Sequence, residues 1–358
     1  MDKTLIGTFT SIGLLNLLGI LSVMSATSDV SLDNTVSGFA IRQSIYSILG
    51  FFIAILLSRV QFNLSLWRTL ANVSHAVLTM LTIFVLFSEP IKGASRWLDF
   101  VFFSFQPAEF LKISTISVLS LLCVSQIETK IKLFLVFLTG ILSAVCVAFQ
   151  PDLSTSLLFA LYSWTAGYLC SQPKRYVFWS FLIVLLIAPI FWELFLEPYQ
   201  RRRIIALLRG DDPLGSNWQV LQSLIAVGSG GIFGKGYLGG TQSRFELLPE
   251  RHTDFVFSVF CEEFGFFGAT FVVSLFLFVL FLLLRIAMSS SSELGKAFTG
   301  LIVVKLGVEI VLNILMTLGL APVTGTALPF FSYGGSSLIS NYIAVGLCLS
   351  FNKKSKMF

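Results

Sequence analysis

"LPERHTDFVFSVFCEEFGFFGATFVVSLFLFVLFLLLR", Leu248 to Arg285, is the stretch whose reading decides the fold. Between Phe255 and Leu284 only Glu262 and Glu263 are charged, and the run exceeds the roughly 20 residues a helix needs to cross a hydrocarbon core. Outward from it, apolar segments recur near 5–26, 39–58, 68–87, 108–125, 131–150, 153–171, 176–196, 297–320 and 336–351. Each is separated from the next by a charged or Gly/Pro-bearing stretch. The composition agrees: 55% of the 358 residues are hydrophobic and 12% charged, about half the charged share of soluble domains. The expected fold is all-α, a polytopic integral membrane protein with about ten transmembrane helices. Residues 1–358 form a single domain, and 198–254 is one long extracytoplasmic loop within it.

The first run, Ile6 to Met24, is too long for a secretory apolar region and lacks a clear small-residue cleavage site, so it reads as a retained spanning helix. Cys123, Cys146, Cys170, Cys261 and Cys348 all fall inside apolar runs without metal-ligand spacing and read as packing residues. His75 reads as a core or interface histidine.

Lys and Arg near span ends set orientation. With the N-terminus inside, Lys3, Arg59, Arg68, Lys130, Lys132, Lys174, Arg175, Arg285, Lys296 and the tail Lys353, Lys354 and Lys356 share the inner face. The tail is an orientation signal that contacts lipid, and nothing supports nucleic-acid binding. Arg42, Lys92, Arg96 and Lys112 break this rule and call for another explanation. Arg201, Arg202 and Arg203 lie in the long loop, where charge bias does not constrain topology. A loop that long, rich in Gly and with apolar stretches, is more often functional than idle.

Within it, "GSGGIFGKG" (Gly228–Gly236) fails as a phosphate loop: Ser229 and Gly236 stand where Gly and Ser/Thr are required. It reads as an amphipathic or re-entrant stretch anchored by Trp218, with lining of a substrate groove as the alternative. "QPAEFLK" (Gln106–Lys112) puts Glu109 and Lys112 on one helical face, as a structural pair or, with Arg96 and Lys92, as a cationic cluster suited to a diphosphate. "FQPDLST" (Phe149–Thr155) sets Asp152 between two runs, where capping after a proline break competes evenly with chemistry. "TGTALPFFSYGGSS" (Thr324–Ser337) offers a tight turn and N-cap, or backbone donors toward a polar ligand. Either way it belongs on the outer face with Asp254. Asp254 itself suits the start of a spanning helix as cap or first-turn acid. Capping does not explain why Glu250, Arg251 and His252 crowd beside it, or Glu262 and Glu263 two turns on. A carboxylate ionised beside a helix N-terminus and cations can take a proton from a sugar hydroxyl within reach.

In order along the chain, "RWLDF", "FQPAEFLK", "QPDLST", "GTQSRFELLPERHTDFVF", "EEFG" and "PVTGTALPFFSYGGSS" resemble the motifs of the SEDS family (shape, elongation, division, sporulation). The wording "GTQS…LPERHTDF" is nearer the elongation than the division branch. Departures stand at Ala108, Ser154, Glu309 and Leu315, where the family has Ser, Gly, Gln and Gly. Glu309 and Lys305, one turn apart, are placed to pair with each other.

The resemblance implies a peptidoglycan glycosyltransferase of a bacterial cytoplasmic (inner) membrane, active in cell elongation. Both termini would be cytoplasmic and the active site extracytoplasmic. It implies lipid II and the growing glycan strand as substrates, a class B penicillin-binding protein as partner, and stimulation by Mg2+ or Mn2+. Asp254 matches the family's essential acid and is the expected general base of an inverting displacement. Lys112, Arg96 and Arg42 are the expected stabilisers of the undecaprenyl diphosphate leaving group, with Glu109 orienting Lys112 or sharing the metal. Asp152, Arg203, Lys235, Gln242, His252, Ser332 and Ser336 complete the expected substrate-binding set. A lipid II flippase and a non-catalytic scaffold of the wall-synthesis machinery are the rival readings.

Overall fold

The structure is a computed structural model, and it describes residues 3–27, 38–88, 95–100, 103–170, 174–194, 201, 205, 216–244 and 247–352. All ten apolar segments are helices. They are α1 (Lys3–Thr27), α2 (Gly38–Arg59), α3 (Leu64–Val85), α4 (Pro107–Val124), α5 (Thr129–Ala148), α6 (Leu153–Cys170), α7 (Arg175–Leu194), α10 (Val256–Ser289), α11 (Glu293–Thr317) and α12 (Gly335–Ser350). Between α7 and α10 lie two shorter helices, α8 (Ser216–Ser229) and α9 (Thr241–Arg244). Seven helices, α1 to α5, α10 and α11, are long and apolar enough to cross a membrane by length and composition. A two-stranded hairpin, β1 (Leu98–Asp99) paired antiparallel with β2 (Ser104–Phe105), is the strand structure among the described residues. Hydropathy gave no sign of it.

The ten long helices alternate in direction, so α1 starts and α12 finishes at the same end of the bundle. At that end Trp67 of α3 meets Phe298 of α11 and Phe351 beyond α12, edge to face, with ring centroids at 4.9 and 5.2 Å. Helix α4 is the axle, packed by α3, α5, α6, α11 and α12, while α2 lies along α12 and α1 along α10. Its buried Ser117 and Ser120 donate to their own helix's carbonyls, and Thr115 meets Ser143 of α5 at 3.1 Å. These hydroxyls are thereby satisfied inside the apolar layer. His75 reaches Ser114 at 3.5 Å across the α3–α4 contact, an interface histidine as expected. Large side chains such as Phe52, Met80, Phe134 and Leu277 point outward and are exposed, the pattern of a lipid-facing surface.

Two irregular segments interrupt the bundle. The first is the "GSGGIFGKG" stretch, which inserts against a break in α10. Gly265 sits at φ 64°, ψ −162°, a region open essentially to glycine alone. Lys235 and Gly236 N–H groups donate to the carbonyls of Glu262 and Glu263 at 3.0 Å each, and Phe266 N–H donates to Gly231 at 2.9 Å. The broken helix and the loop thereby satisfy each other's backbone, as irregular chain at membrane depth requires. Helix α8 is docked too: Ser223 donates to the Thr317 carbonyl at 2.7 Å and pairs with Ser258 at 2.6 Å. The stretch is thus docked by its backbone against the break in α10.

A Cβ at Gly265 would stand 2.3 Å from the Gly234 nitrogen. Gly265→Ala is therefore expected to cost about 1–3 kcal/mol in backbone strain alone and to expel the loop. The check is thermal half-life of the purified variant in detergent, and an unchanged half-life would show that the break does not depend on this residue.

The second irregular segment, 320–334, folds back into the bundle and buries Leu328, Phe330, Phe331 and Ser332. Three buried side-chain amides hold its backbone. Asn16 donates to Phe330 at 3.2 Å, Gln43 to Phe331 at 3.1 Å, and Asn313 to Thr326 at 2.8 Å.

Candidate functional site

The end of the bundle opposite Trp67 gathers the polar motifs. Residues 250–255 form a turn in which Thr253 and Phe255 N–H groups both donate to the Glu250 carbonyl, at 3.2 and 3.3 Å. Arg251 donates from Nε to the carbonyl of Ala26, tying the turn to the last turn of α1. His252 lies 4.8 Å from the ring of Phe39 and 6.0 Å from that of Tyr333, while its carbonyl accepts from Tyr333 N–H at 3.1 Å. Asp254 is half-buried between this turn and the 320–334 segment. Its Oδ2 stands 3.7 Å from where a Cβ on Gly325 would lie, and its carbonyl accepts from Asn313 Nδ2 at 3.0 Å. The cap position of α10 falls on Phe255, so capping alone does not account for Asp254. The expectation that Asp254 and the Thr324–Ser337 stretch share one face holds.

Arg42 is exposed on the first turn of α2, three residues after Phe39 and beside Tyr46. Phe39, three residues before it on the same helix, is the α2 side chain that meets His252. Arg203 and Lys92 lie outside the described residues. Arg201 donates to the Glu193 carbonyl at 2.7 Å and pairs with its carboxylate at 3.3 Å.

Several other expected ligands are corrected by the geometry. Lys112 is 4% exposed and lies inside the bundle, held by Glu109 at 2.9 Å and by Glu309 at 2.7 Å. Two carboxylates hold it, so it is no cation waiting for a diphosphate, and Glu109 is buried beside it with Oε1 on the ammonium. The expected Lys305–Glu309 pair forms at 2.8 Å, and Lys305 also donates to Asn341 on α12. A charge this deep survives only paired, which is what these helices supply. Arg96 donates from Nε to Gln150 at 3.0 Å and also to the Pro151 carbonyl, with Asp152 at 3.7 Å. It laces the corner between α5 and α6. Asp152 takes the capping branch, accepting from Thr155 N–H at 3.1 Å and Thr155 Oγ1 at 2.9 Å.

Lys235 and Gln242 belong to the re-entrant lock. Glu262, fully buried, accepts from Lys235 Nζ at 2.6 Å, Thr241 N–H at 2.7 Å and Gln242 N–H at 3.2 Å. Glu263 accepts from Leu238 N–H at 3.1 Å and from Ser25 of α1. The two acids therefore anchor the loop and do not extend the Asp254 cluster. Ser332 Oγ accepts from Leu328 N–H at 2.9 Å. Ser336 Oγ accepts from Gln106 N–H at 3.0 Å and donates to Ser104 at 3.3 Å. Both serines brace backbone, and neither caps α12, whose cap position is Gly334. What remains at the site is Asp254, His252 and Arg42, with Phe39, Tyr333, Gly325 and Asn313 as neighbours the sequence did not single out. A buried Asn in an apolar helix was the one available sign of Asn313.

No group of three or more His, Cys, Asp or Glu side chains among the described residues is placed to hold a metal ion.

Residues 3–357 match the sequence model of the cell cycle protein family FtsW/RodA/SpoVE. The peptidoglycan glycosyltransferase MrdB of Escherichia coli K12 is 39% identical over 273 residues, covering 74% of this chain and 73% of that one. The probable peptidoglycan glycosyltransferase FtsW of Geobacter sulfurreducens is 33% identical over 357 residues, 96% of this chain and 93% of that one. Among solved structures, a chain of a peptidoglycan synthase complex that coordinates polymerization and crosslinking superposes with a TM-score of 0.80 at 30% identity. The match covers 97% of this chain and 96% of that one. The crystal structure of Thermus thermophilus rod shape determining protein RodA gives a TM-score of 0.70 at 26% identity over 97% and 95% of the two chains.

Proposed function

From the premise that the chain belongs to the cell cycle protein family of FtsW, RodA and SpoVE, we propose that this peptidoglycan glycosyltransferase polymerises lipid II with Asp254 as general base. The observation that carries the reading is the placement of Asp254: a half-buried carboxylate at the polar end of an apolar bundle, off the helix cap and against a glycine. The donor sugar is α-linked to undecaprenyl diphosphate and the polymer is β-linked, so one inverting displacement suffices. The acceptor's 4-hydroxyl attacks the anomeric carbon as its proton passes to Asp254, and the bond to the diphosphate breaks. Arg42 faces that leaving charge, and Arg203 is offered for the same task by the sequence alone.

The polar end lies on the extracytoplasmic side of the inner membrane, and both termini are cytoplasmic. Support comes from Arg59, Arg68, Lys130, Lys174, Arg285 and Lys296, all at the opposite end. Mg2+ or Mn2+ would enter with the substrate's diphosphate, as Mg2+ commonly does. A class B penicillin-binding protein is the proposed partner, supported by the likeness to a complex that couples polymerization to crosslinking.

The flippase reading draws on the ions in the middle of the bundle, since intramembrane charge also marks transport. Those ions are buried and paired with one another at 2.7–2.9 Å. The test is lipid II incubated with the purified chain and its partner in detergent, with and without a chelator. Glycan strands are the expected product, reduced by the chelator. With no bilayer to cross, a flippase or scaffold leaves lipid II unchanged.

A further inference from the structure

Asn313 is fully buried and makes two hydrogen bonds through one nitrogen, to the Asp254 carbonyl at 3.0 Å and to the Thr326 carbonyl at 2.8 Å. Both partners are acceptors, so the amide's NH2 group must face them. Its Oδ1 is then left buried without a partner among the described residues, a cost the fold bears to keep both donors in place. Asn16 and Gln43 hold the same irregular segment, but at Phe330 and Phe331. Asn313 alone of the three amides joins the turn that carries the acid to the segment that carries Gly325. The bridge starts from α11, a helix anchored mid-bundle by the Glu309 pairs.

We propose that Asn313 is a positioning residue of the glycosyl transfer, fixing the height of the Asp254 carboxylate against the 320–334 segment where the acceptor hydroxyl arrives. The proposal rests on the reading of Asp254 as base. Its physical basis is that misplacing a reacting group by about 1 Å costs up to roughly 100-fold in rate. A bond to backbone moves the acid without touching its chemistry.

The experiment measures initial rates of lipid II polymerisation against lipid II concentration for four purified variants. Asn313→Leu, which keeps the volume and removes both donors, is expected to lower kcat roughly 10- to 100-fold with little change in KM. Asn313→Gln, which keeps the NH2 group, is expected to recover part of that loss. Asn16→Leu removes an amide from the same segment without reaching Asp254, and is expected to shorten thermal half-life while keeping kcat. Asp254→Asn calibrates the premise. Should Asn313→Leu fail to assemble, Asn313→Asp supplies the same arm. Equal kcat for Asn313→Leu and the parent, or an equal drop in Asn16→Leu, overturns the positioning role. Full activity in Asp254→Asn instead overturns the base assignment, so the two failures are distinguishable.

Discussion

Asp254→Asn is expected to abolish glycan strand formation from lipid II while leaving the chain folded and able to bind its partner. The substitution swaps one carboxylate oxygen for NH2 at constant shape, so it removes the proton acceptor and little else. The hydrogen bond from Asn313 to this residue is made to its backbone carbonyl, which the variant keeps. Loss of a positioned base typically lowers a rate by about 100- to 10,000-fold, enough to take polymer below detection on a gel of labelled glycan. Asp254→Glu retains the acid but moves it by a methylene, and a misplacement of about 1 Å costs up to roughly 100-fold in rate. Weak activity is expected there, well above that of the Asn variant. Parent-level polymer from Asp254→Asn would remove this carboxylate from the chemistry and leave the cluster around it as architecture.

The bundle was legible because hydropathy is a local property. Each span announces itself over some 20 residues, and all ten segments became helices. The break at Gly265 was not legible, because a glycine inside an apolar run looks the same whether it packs, bends or stops a helix. What distinguishes it is the Gly231–Gly236 backbone brought against it from some 30 residues away. The hairpin at Leu98–Phe105 has the same origin: two short polar-edged strands make no periodic signal.

The site divided along the same line. Asp254 was legible because its neighbours in sequence are its neighbours in space. The Lys305–Glu309 pair was legible because one helical turn separates the partners. Arg96, Lys112, Lys235 and Ser336 were assigned to substrate because a charge or hydroxyl at membrane depth needs a reason, and function is the reason sequence can name. In each case the reason is a distant partner: Gln150, Glu309, Glu262 and Gln106. Ion pairs closed by tertiary contact remove candidates that local reading must keep. Arg42 stays because the described contacts around it leave the cation exposed at the site.

That closure gives the second large effect. Glu309 is 3% exposed and serves two lysines, Lys112 on α4 at 2.7 Å and Lys305 on its own helix at 2.8 Å. With Glu109 the four groups sum to zero, so removal of either acid leaves one uncompensated positive charge in the middle of the membrane. Truncating one member of a buried pair typically costs about 3–5 kcal/mol, because the orphaned charge stays behind. Glu309→Gln keeps the shape and an acceptor but deletes the charge, and it is expected to shorten thermal half-life in detergent severely. Lys305→Met alone leaves an excess negative charge and is expected to do the same. The double variant Lys305→Met, Glu309→Gln restores neutrality, with Lys112 still held by Glu109 at 2.9 Å. It is expected to recover most of the stability, with a coupling of about 2 kcal/mol, toward the upper end for contacting residues. Because Asp254 hangs from Asn313, one turn beyond Glu309 on α11, the single variants should also lose polymerisation and the double regain it. Additive losses in the double variant would mean that the four charges do not act as one neutral unit.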